Sequence, residues 1–341
     1  MAQVSDFNYE LPEELIAQEP LAERTASRMM VVSREKQSFY NDVFSNFPRY
    51  LQAGDCLVLN NTRVFPARLR GHRNTPSGAD VELLLLRALA PDEKQWLALA
   101  KPGKRVRKGD KLLFGLGLEA TVEEQGEFGE RTVTFHADEP IRGVLERIGQ
   151  IPLPPYIHRA PDLHDRERYQ TVFSEKRGSA AAPTAGLHFT PEMLTRCLTA
   201  GATIAYVTLH VGLGTFAPLR EQDLSRIHLH EEYCEISAEN AAIMRDAKRL
   251  VCVGTTSVRT VETAMLRRGL EPMSGETNLF IYPGFKFGAT GALLTNFHLP
   301  QSSLLMLVCA LGGKDLVMAA YRHAVRERYR FFSYGDCMLV L

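Results

Sequence analysis

Residues 250–262 read LVCVGTTSVRTVE, and this stretch predicts the fold class more directly than any other part of the chain. Its first four residues are apolar and two of them are β-branched, which is typical of a buried strand. A small polar turn follows, and the chain then continues as VRTVETAMLRRG, whose composition and spacing favour a helix. A buried strand that leads into a helix is typical of α/β proteins.

The same alternation is found on either side of this stretch. TIAYVTLHV (203–211) predicts a strand, and SAENAAIMRDAKR (237–249) predicts a helix that begins at a capping serine. Near the start of the chain, MMVVS (29–33) and CLVLNN (56–61) predict two more buried strands. Strands alternating with helices predict an α/β main domain.

The pattern changes between residues 66 and 150. Short β-like runs, among them VELLLL, WLALA and RTVTFHA, are separated by Gly, Pro and charged turns. IPLPPYI (151–157) then predicts an extended hinge, because proline fixes φ and disfavours helix just before itself. We therefore expect an α/β main domain, formed by residues 1–65 and 151–341, with an inserted small antiparallel β-barrel domain at 66–150.

Composition limits the class of protein. The chain has 341 residues, 45% of them hydrophobic and 23% charged, which is ordinary for a folded protein with more than one core. Its six cysteines form no CxxC pair, which argues against a zinc ribbon and a disulfide framework. The first 20 residues lack the basic flank and apolar run of a secretion signal, and the longest apolar run, Leu304 to Leu311, is too short to cross a bilayer. We expect a cytoplasmic protein with no membrane contact.

Charge is balanced overall, with 40 basic and 40 acidic residues, whereas many RNA-binding proteins are basic. Local density matters more for phosphate attraction, and three basic clusters stand out. They comprise Lys101, Lys104, Arg105, Arg107, Lys108 and Lys111; Arg63, Arg68, Arg70 and Arg73; and Arg322, Arg326, Arg328 and Arg330, the last beside Tyr329, Phe331 and Phe332. For each cluster taken alone, a solvated surface is the favoured interpretation, and the three together shift the balance only slightly toward RNA binding.

The turn after the strand at 250–253 is a candidate anion or ligand site. Amide groups at a helix start, together with the hydroxyls of Thr255, Thr256 and Ser257, suit a carboxylate or phosphate that Arg259 could clamp. Simple capping of the helix would produce the same residues. The sequence leaves both interpretations open.

A second glycine-rich turn occurs in VTLHVGLGTFAP. Gly212, Gly214 and Ala217 have the spacing of a dinucleotide-binding GxGxxA, but Pro218 and the polar run after it do not open a helix at the required point. We therefore disfavour a Rossmann dehydrogenase. These glycines fit a tight turn or a close approach of the backbone to a ligand.

Two further groups of polar residues are candidates for function. In IHLHEEY, His228 and His230 would share one face of an extended segment, but with no companion ligands we favour His230 with Glu232 as an acid–base or substrate-binding pair over zinc. Structural hydrogen bonding remains open for each histidine alone. Near the end of the chain, candidates to face a pocket, or to form a hydrogen-bond network at strand ends, are Asn296, His298, Ser302, Tyr334 and Asp336.

The assembled motifs carry a resemblance that covers Asp6 to about Met338. The motifs are DFNYELPEELIAQEP, NNTRVFPARL, LPPYI, YQTVFS, AAPTAGLHFT, LHVGLGTF, HEEYCEI, VGTTSVR, IYPGF, TNFHLPQSSLLMLV and YRFFSYGD. In this order they closely resemble the S-adenosylmethionine:tRNA ribosyltransferase-isomerase family of queuosine biosynthesis. That family's fold, an α/β domain with an inserted β-barrel, agrees with the change of pattern at residue 66.

The resemblance implies a transferase that acts on tRNA carrying 7-aminomethyl-7-deazaguanine at the wobble position. The ribosyl part of S-adenosylmethionine would be transferred and isomerised to give epoxyqueuosine, with release of adenine and methionine. S-adenosylmethionine would be a consumed substrate, so the resemblance implies no cofactor and no metal. We expect the chain to act as a monomer.

This reaction requires particular groups in the site. The sulfonium acidifies the C5′ hydrogens, so a general base could remove one, while a second acid–base group would assist the departing adenine. Within the family motifs the candidates for these roles are His188, His210, His230, Glu232 and His298. Candidates for binding donor or anticodon are Asn60, Asn61, Thr62, Arg63, Arg68, Gly186, Gly212, Gly214, Thr215, Gly254, Thr255, Thr256, Ser257, Arg259, Asn296, Tyr334 and Asp336.

Two other classes compete with this interpretation. A Rossmann methyltransferase also uses S-adenosylmethionine, but it needs a glycine-rich loop after its first strand, which the sequence lacks. A non-catalytic RNA-binding module would explain the barrel and the basic clusters and would leave the polar motifs unexplained. Products separate the three: adenine and methionine for the transferase-isomerase, S-adenosylhomocysteine for a methyltransferase, and no turnover for a binding module.

Overall fold

The computed structural model describes residues 3–76, 78–126, 129–212 and 221–341. The strands are β1 (Arg28–Ser33), β2 (Ser38–Val43), β3 (Asp55–Asn60), β4 (Thr62–Val64), β5 (Arg68–Arg73), β6 (Asp80–Ala88), β7 (Gln95–Lys101), β8 (Lys111–Leu113), β9 (Glu119–Gln125), β10 (Glu130–His136), β11 (Lys176–Ser179), β12 (Thr203–Leu209), β13 (Glu232–Ile236), β14 (Arg249–Val253), β15 (Met273–Thr277), β16 (Thr290–Asn296) and β17 (Cys337–Val340). The α-helices are α1 (Ile141–Ile148), α2 (Asp165–Arg168), α3 (Pro191–Thr199), α4 (Ala238–Asp246), α5 (Thr255–Arg268), α6 (Ser303–Gly312) and α7 (Lys314–Arg326).

Nine strands form the main sheet, in the order β15-β13-β12-β3-β14-β16-β17-β1-β2. The four neighbours β12, β3, β14 and β16 are mutually parallel. The strands that flank this group, β13 and β17, are antiparallel to it. Four parallel strands bring four carboxyl ends to one edge of the sheet, which is where ligands bind in open α/β sheets.

Helices cover the parallel part of the sheet on both faces. Alternate side chains of β3 point to opposite faces. Cys56 and Val58 pack in one core with residues of α4, α5, α6 and α7, while Leu57 and Leu59 pack in another with Met193 of α3. The strand is buried along its whole length because it has apolar neighbours on either side.

The inserted domain is a closed six-stranded barrel in the order β10-β7-β6-β5-β8-β9, with every neighbouring pair antiparallel. It has its own core, to which α1 contributes Ile141, Val144 and Leu145. The predicted fold class, an α/β domain with an inserted antiparallel β-barrel, is confirmed. The exact domain boundaries at 66 and 150 stay a prediction.

Several local predictions can be compared with the structure. The runs at 29–33 and 56–61 are buried strands, and all six cysteines are free and buried. The helix at 237–249 begins after Ser237, whose hydroxyl accepts from the Asn240 amide. The polar turn predicted at 254–257 is shorter than expected: only Gly254, with φ of 87°, separates β14 from α5.

The apolar run at 304–311 lies in α6, among the buried residues of the main core. In the described ranges, no single helix is long and apolar enough to cross a membrane. The pair α6 and α7 meets that criterion by length and composition only when taken together, and the two helices are bent by 118° where they meet.

The two connections between the domains touch at Gly149. The amide of Arg68 donates to the carbonyl of Gln150 and the Gln150 amide donates to the Arg68 carbonyl, so the entering and leaving chains form a short ladder. A Cβ on Gly149 would lie 2.2 Å from the Pro66 carbonyl oxygen and 2.5 Å from that of Leu145. Backbone on both sides leaves no room for a side chain.

We predict that Gly149→Ala destabilises the protein by about 1–3 kcal/mol, the usual scale of overpacking, because the two connections must separate. Gly143→Ala is the matched control: Gly143 is exposed on α1 and a Cβ there meets only the tip of Glu139, at 3.9 Å. The control should be neutral or stabilise by up to about 1 kcal/mol through helix propensity. Urea unfolding of both variants tests this, and equal stabilities would contradict it.

Candidate active site at the carboxyl edge of the parallel strands

The carboxyl edge of β12, β3, β14 and β16 brings together residues from four distant parts of the sequence. A cavity at this edge, here called the main cavity, is lined by the residues that follow three of these strands: Val211 after β12, Gly254–Thr256 after β14, and Phe297 and His298 after β16. Its other wall comes from Tyr156, Ala182–Ala185, Phe332 and Ser333.

Asn60, the last residue of β3, is buried and uses its whole amide within the protein. Nδ2 donates to the Leu209 carbonyl (3.0 Å) and to the Thr256 hydroxyl (3.1 Å), while Oδ1 accepts from the amides of Thr62 and Leu209. An Asn amide has two donors and two acceptor positions, so all four are satisfied. Asn60 therefore fixes the Thr256 hydroxyl at the floor of the main cavity.

The other residues of the NNTR motif also make internal hydrogen bonds. Asn61 accepts from the Thr208 hydroxyl at 2.7 Å, and the Thr62 hydroxyl lies 2.7 Å from Nδ1 of His210. Arg63 donates to the Ser174 hydroxyl at 3.3 Å. Asn60, Asn61 and Thr62 thus support the end of β12 and His210, whereas Arg63 contacts a different segment.

His210 is closed in on both sides. Besides the contact with Thr62, its ring stacks on Tyr233, with centroids 5.5 Å apart, and a Cβ on Gly178 would lie 2.6 Å from its Nε2. Burial lowers the pKa of His210 to about 4, so the ring is neutral at pH 7. It does not line the main cavity, which leaves it a supporting position.

His188 lies at the end of a 3-10 turn, Thr184–His188, behind the main cavity. Asn296 donates through Nδ2 to the Phe332 carbonyl (2.8 Å), so its Oδ1 faces Nε2 of His188 at 3.1 Å. Nε2 therefore carries the hydrogen, and Nδ1 accepts from the Ser27 hydroxyl at 2.9 Å. Both ring nitrogens are used within the protein, and burial lowers the pKa of His188 to about 4.

His298 differs from these two histidines because it lines the main cavity. Its Nε2 lies 2.8 Å from the Thr295 hydroxyl, which itself donates to the Asn296 carbonyl. That hydroxyl must then accept from Nε2–H, which leaves the lone pair on Nδ1. Burial lowers the pKa of His298 to about 3, so Nδ1 is a hydrogen-bond acceptor and a weak base.

A second cavity adjoins the first, and Leu304 lines both. Here Glu232 and Arg259 form an ion pair in which each side chain is only 5% exposed, and His230 lies on the same wall, exposed to solvent. Glu232 also accepts from the Gly212 amide at 2.8 Å. The hydrogen bonds that the structure shows for this carboxylate thus reach Arg259 and Gly212, whereas the sequence suggested that it orients His230.

Only part of the hydrogen-bonding capacity of the Arg259 guanidinium is used. Its Nε donates to the Leu279 carbonyl at 3.1 Å and Nη1 to Glu232, while Nη2 is buried and has no hydrogen-bond partner among the described residues. A buried guanidinium N–H without a partner costs free energy comparable to a lost hydrogen bond. This atom is suited to an anionic oxygen brought by a ligand.

The hydroxyls at the start of α5 divide into two kinds. Ser257 donates to the Val253 carbonyl and Thr260 to that of Thr256, so these are internal helix contacts. Thr255 and Thr256 line the main cavity. The sequence allowed two interpretations of these hydroxyls, a ligand site or internal capping of the helix. In the structure Ser257 makes an internal helix contact, and the two threonines lie at the cavity.

Other predicted site residues lie elsewhere. Arg68 belongs to the barrel and pairs with Glu82 at 3.6 Å. Tyr334 donates to Asp165 at 2.8 Å, and Asp336 accepts from the amides of Arg28 and Arg330, so both side chains make internal contacts.

Two of the predicted glycines lie outside the lining of the main cavity or outside the described residues. Gly186 lies in the 3-10 turn, packed against Thr171 and Phe173. Gly214 and Thr215, with Ala217 of the GxGxxA pattern, lie outside the described residues.

Sequence reasoning missed three side chains that line the main cavity. Tyr156 and Phe332 face each other with ring centroids 4.6 Å apart, and the Tyr156 hydroxyl lies 2.7 Å from that of Ser333. They belong to the LPPYI and YRFFSYGD motifs, 176 residues apart. Motif membership was the available signal, but nothing in the sequence showed that the two segments meet.

The basic clusters differ in their surroundings. The six cations from Lys101, the last residue of β7, to Lys111, the first residue of β8, are all exposed. In the second cluster, Arg70 pairs with Glu82 and Arg73 with Asp110. In the third, Arg328 pairs with Glu14, the neighbouring aromatic rings are buried, and Arg28 already lies over the Tyr329 ring, 3.7 Å from its centroid. The first cluster has the most exposed cations of the three.

Comparison with known proteins identifies the family. A family model described as a queuosine biosynthesis protein matches residues 4–340. The S-adenosylmethionine:tRNA ribosyltransferase-isomerases of Solibacter usitatus and Symbiobacterium thermophilum are 55% and 52% identical, and each alignment covers 99% of both chains. This chain belongs to the S-adenosylmethionine:tRNA ribosyltransferase-isomerase family.

A solved relative supports the same assignment. The crystal structure of the S-adenosylmethionine tRNA ribosyltransferase from Thermotoga maritima is 40% identical, covers 99% of this chain and 100% of its own, and superposes with a TM-score of 0.57. The family resemblance drawn from the motifs is confirmed, and the names of the relatives place the chain among the transferases. Within residues 3–76, 78–126, 129–212 and 221–341, no group of three or more His, Cys, Asp or Glu side chains is arranged to hold a metal ion.

The pKa of His188 predicts a pH-dependent stability. Its value of about 4 is below the roughly 6.5 of an unfolded histidine, so between these values the unfolded chain binds more protons. The stability from neutral His188 is complete above pH 6.5 and is lost as the pH falls toward 4. His188→Gln, which cannot titrate, should be destabilising at pH 7.5, and the difference from wild type should shrink by roughly 2 kcal/mol by pH 4.5. Urea unfolding across this range measures it; a constant difference would contradict the buried neutral imidazole.

Proposed function

We propose that this protein transfers and isomerises the ribosyl part of S-adenosylmethionine onto 7-aminomethyl-7-deazaguanine at the wobble position of tRNA. The products are epoxyqueuosine-tRNA, adenine and methionine. The enzyme acts in the cytoplasm as a monomer and consumes S-adenosylmethionine as a substrate, with neither cofactor nor metal. Family membership and the pair of adjoining cavities at the carboxyl edge of the sheet support this proposal.

The observation that carries the proposal is the buried Glu232–Arg259 pair in the cavity beside the main cavity. A buried ion pair is an uncertain source of stability, because desolvation offsets much of the attraction. A cavity wall that nevertheless presents a carboxylate, a guanidinium and an imidazole offers both a proton acceptor and an anion-binding group. Removing a C5′ proton from a sulfonium donor requires the proton acceptor, and binding a methionine carboxylate requires the anion-binding group.

Arg259 is assigned to the donor's carboxylate. Its buried Nη2 lacks a partner among the described residues, and an incoming carboxylate oxygen would satisfy it. Nε and Nη1 are bound to the Leu279 carbonyl and to Glu232, which fixes the guanidinium plane before the donor arrives. A preorganised donor loses little entropy on binding.

The main cavity is assigned to the nucleobase end of the reaction. Tyr156 and Phe332 supply aromatic surface, and Thr255, Thr256 and Nδ1 of His298 supply polar groups. His298, neutral through burial, would accept a hydrogen bond from a base or an amine without holding its proton. The amine attacks in its uncharged form. A neutral acceptor such as His298 adds no negative charge that would stabilise the protonated amine.

Proton transfer is assigned to Glu232 and His230. The products require cleavage of the C5′–H, C5′–sulfur, ribosyl–adenine, one ring C–O and one amine N–H bond. They also require formation of a C–N bond to the amine, of a C–C bond that closes the carbocycle and of the C–O bond of the epoxide. The base takes the C5′ proton. Adenine gains a proton as it leaves. His230 is exposed to solvent, while buried Glu232 lies beside Arg259.

We predict that His230→Ala and Glu232→Gln each lower kcat by roughly 100-fold, the usual scale for loss of a general acid or base. Adenine and methionine release measures turnover, and S-adenosylhomocysteine would reveal a methyltransferase instead. His228→Ala is the matched control, because His228 is exposed and lies outside both cavities. Near-normal turnover of the His230 and Glu232 variants would contradict the assignment.

Stability must be separated from chemistry for Glu232. Glu232→Gln leaves the buried Arg259 charge unbalanced, which costs about 3–5 kcal/mol when one partner of a buried pair is removed. We therefore expect a lower melting temperature for this variant, and not the small effect that a surface carboxylate would give. Glu232→Gln combined with Arg259→Gln removes both charges and should restore stability while activity stays lost. Recovery of activity with stability would mean that the pair is structural.

Binding of tRNA is assigned to the exposed loop between β7 and β8. Lys104→Ala, Arg105→Ala and Lys108→Ala together should raise KM for tRNA and lower the slope of log KM against log salt by up to about 0.9 for each lost phosphate contact. The control replaces Lys36, Arg322 and Arg326, three exposed cations of the main domain, by Ala. If both triple variants match wild type in KM and in salt slope, the loop is only a solvated surface.

A further inference from the structure

Two guanidinium groups are held side by side on the surface without a carboxylate partner. Arg24 and Arg168, together with Arg196, line an open cleft, here called the arginine cleft. Among the described residues, no Asp or Glu forms an ion pair with any of the three. Burial and the neighbouring charge of Arg168 lower the pKa of Arg24 to about 10, which reflects the cost of keeping these charges together.

Backbone carbonyl groups fix these side chains in place. Arg24 donates to the carbonyls of Leu187 (2.9 Å) and Glu167 (3.0 Å), and Arg168 donates to that of Leu21 (2.6 Å). Each arginine is thus bound to the chain segment that carries the other. A surface cation that served only solubility would extend into water, whereas these two are held by backbone carbonyls.

The cleft contains other groups that bear on its charge. The helix α3 begins here with Thr190 as its N-cap, and the positive end of the helix dipole adds to the cationic character. Two exposed carboxylates, Glu23 and Glu192, also line the cleft. Hydrogen bonds from its own backbone amide and from Thr190 lower the pKa of Glu192, so that carboxylate serves the helix start.

A third cavity lies between the arginine cleft and the main cavity. That cavity shares Arg24 and Arg168 with the cleft and Ser333 with the main cavity, and His188 lies in its wall. The arginine cleft and the main cavity thus lie on either side of this third cavity. This places the arginines near the nucleotide proposed to bind in the main cavity.

We propose that the arginine cleft binds a phosphate group of the tRNA backbone close to the nucleotide whose base occupies the main cavity. Guanidinium groups bind phosphate oxygens through paired, charge-assisted hydrogen bonds, and two of them suit a phosphodiester better than one lysine does. This proposal rests on the proposed function, because it requires RNA as the substrate. Free phosphate has the same chemistry, so the experiment must separate the two sources.

The test uses Arg168→Gln combined with Arg196→Gln. The expected result is a KM for tRNA raised about 10-fold, with kcat and the KM for S-adenosylmethionine unchanged, and a salt slope reduced by about 0.7–0.9 for each lost contact. Arg322→Gln with Arg326→Gln, the same charge change on the exposed face of α7, is the control and should match wild type. Arg168→Lys with Arg196→Lys keeps the charge and should recover part of the affinity, which excludes misfolding as the cause.

Inorganic phosphate, added at constant ionic strength, distinguishes the sources. It should raise KM for tRNA of the wild type but not of the double Gln variant. A variant whose tRNA affinity and salt slope equal those of wild type would overturn the proposal, and so would phosphate that protects the wild type against thermal unfolding while tRNA parameters stay unchanged. Measuring the affinity for tRNA directly tests the arginine cleft without requiring turnover. If the wild type binds tRNA but releases no adenine, the result counts against the proposed function and not against the cleft.

Discussion

The parallel alignment of β12, β3, β14 and β16 is the constraint on which the site depends. Because the strands run in one direction, their carboxyl ends meet at one edge, and Asn60 and Thr256, 196 positions apart in the chain, come within hydrogen-bond distance. The buried amide of Asn60 stabilises this edge. It joins β3 to the end of β12 and to the first turn of α5, and it has no hydrogen-bonding capacity left over.

Burial gives the histidines of this edge different chemistry from that of histidines in water. Three of them have their pKa lowered, so at neutral pH they orient neighbouring groups or accept hydrogen bonds. Charge is concentrated in the adjoining cavity, in the Glu232–Arg259 pair. The separation is physically reasonable, because an aromatic cavity suits a neutral base while an ion pair suits a charged donor and a proton transfer.

Two of the cationic regions lie on different parts of the molecule and have different environments. The loop between β7 and β8 carries exposed basic side chains of the kind that attract a polyanion from a distance. The arginines at the cleft are held by backbone carbonyls and suit a single phosphate in a defined position. Attraction over a distance and local positioning are different tasks, and an enzyme that modifies one nucleotide of a folded RNA requires both.

The sequence by itself determined the fold class, the buried strands and the family, because apolar periodicity, proline and glycine positions and long motifs are local properties of the chain. It also identified His298, Arg259 and Glu232 as candidates. Only the tertiary structure showed that Glu232 binds Arg259, that His188 and His210 are enclosed, and that Tyr156 faces Phe332. These contacts depend on which distant segments of the chain meet, and the burial of the histidines depends on how far water is excluded from them. The spacing of residues along one stretch of chain determines neither.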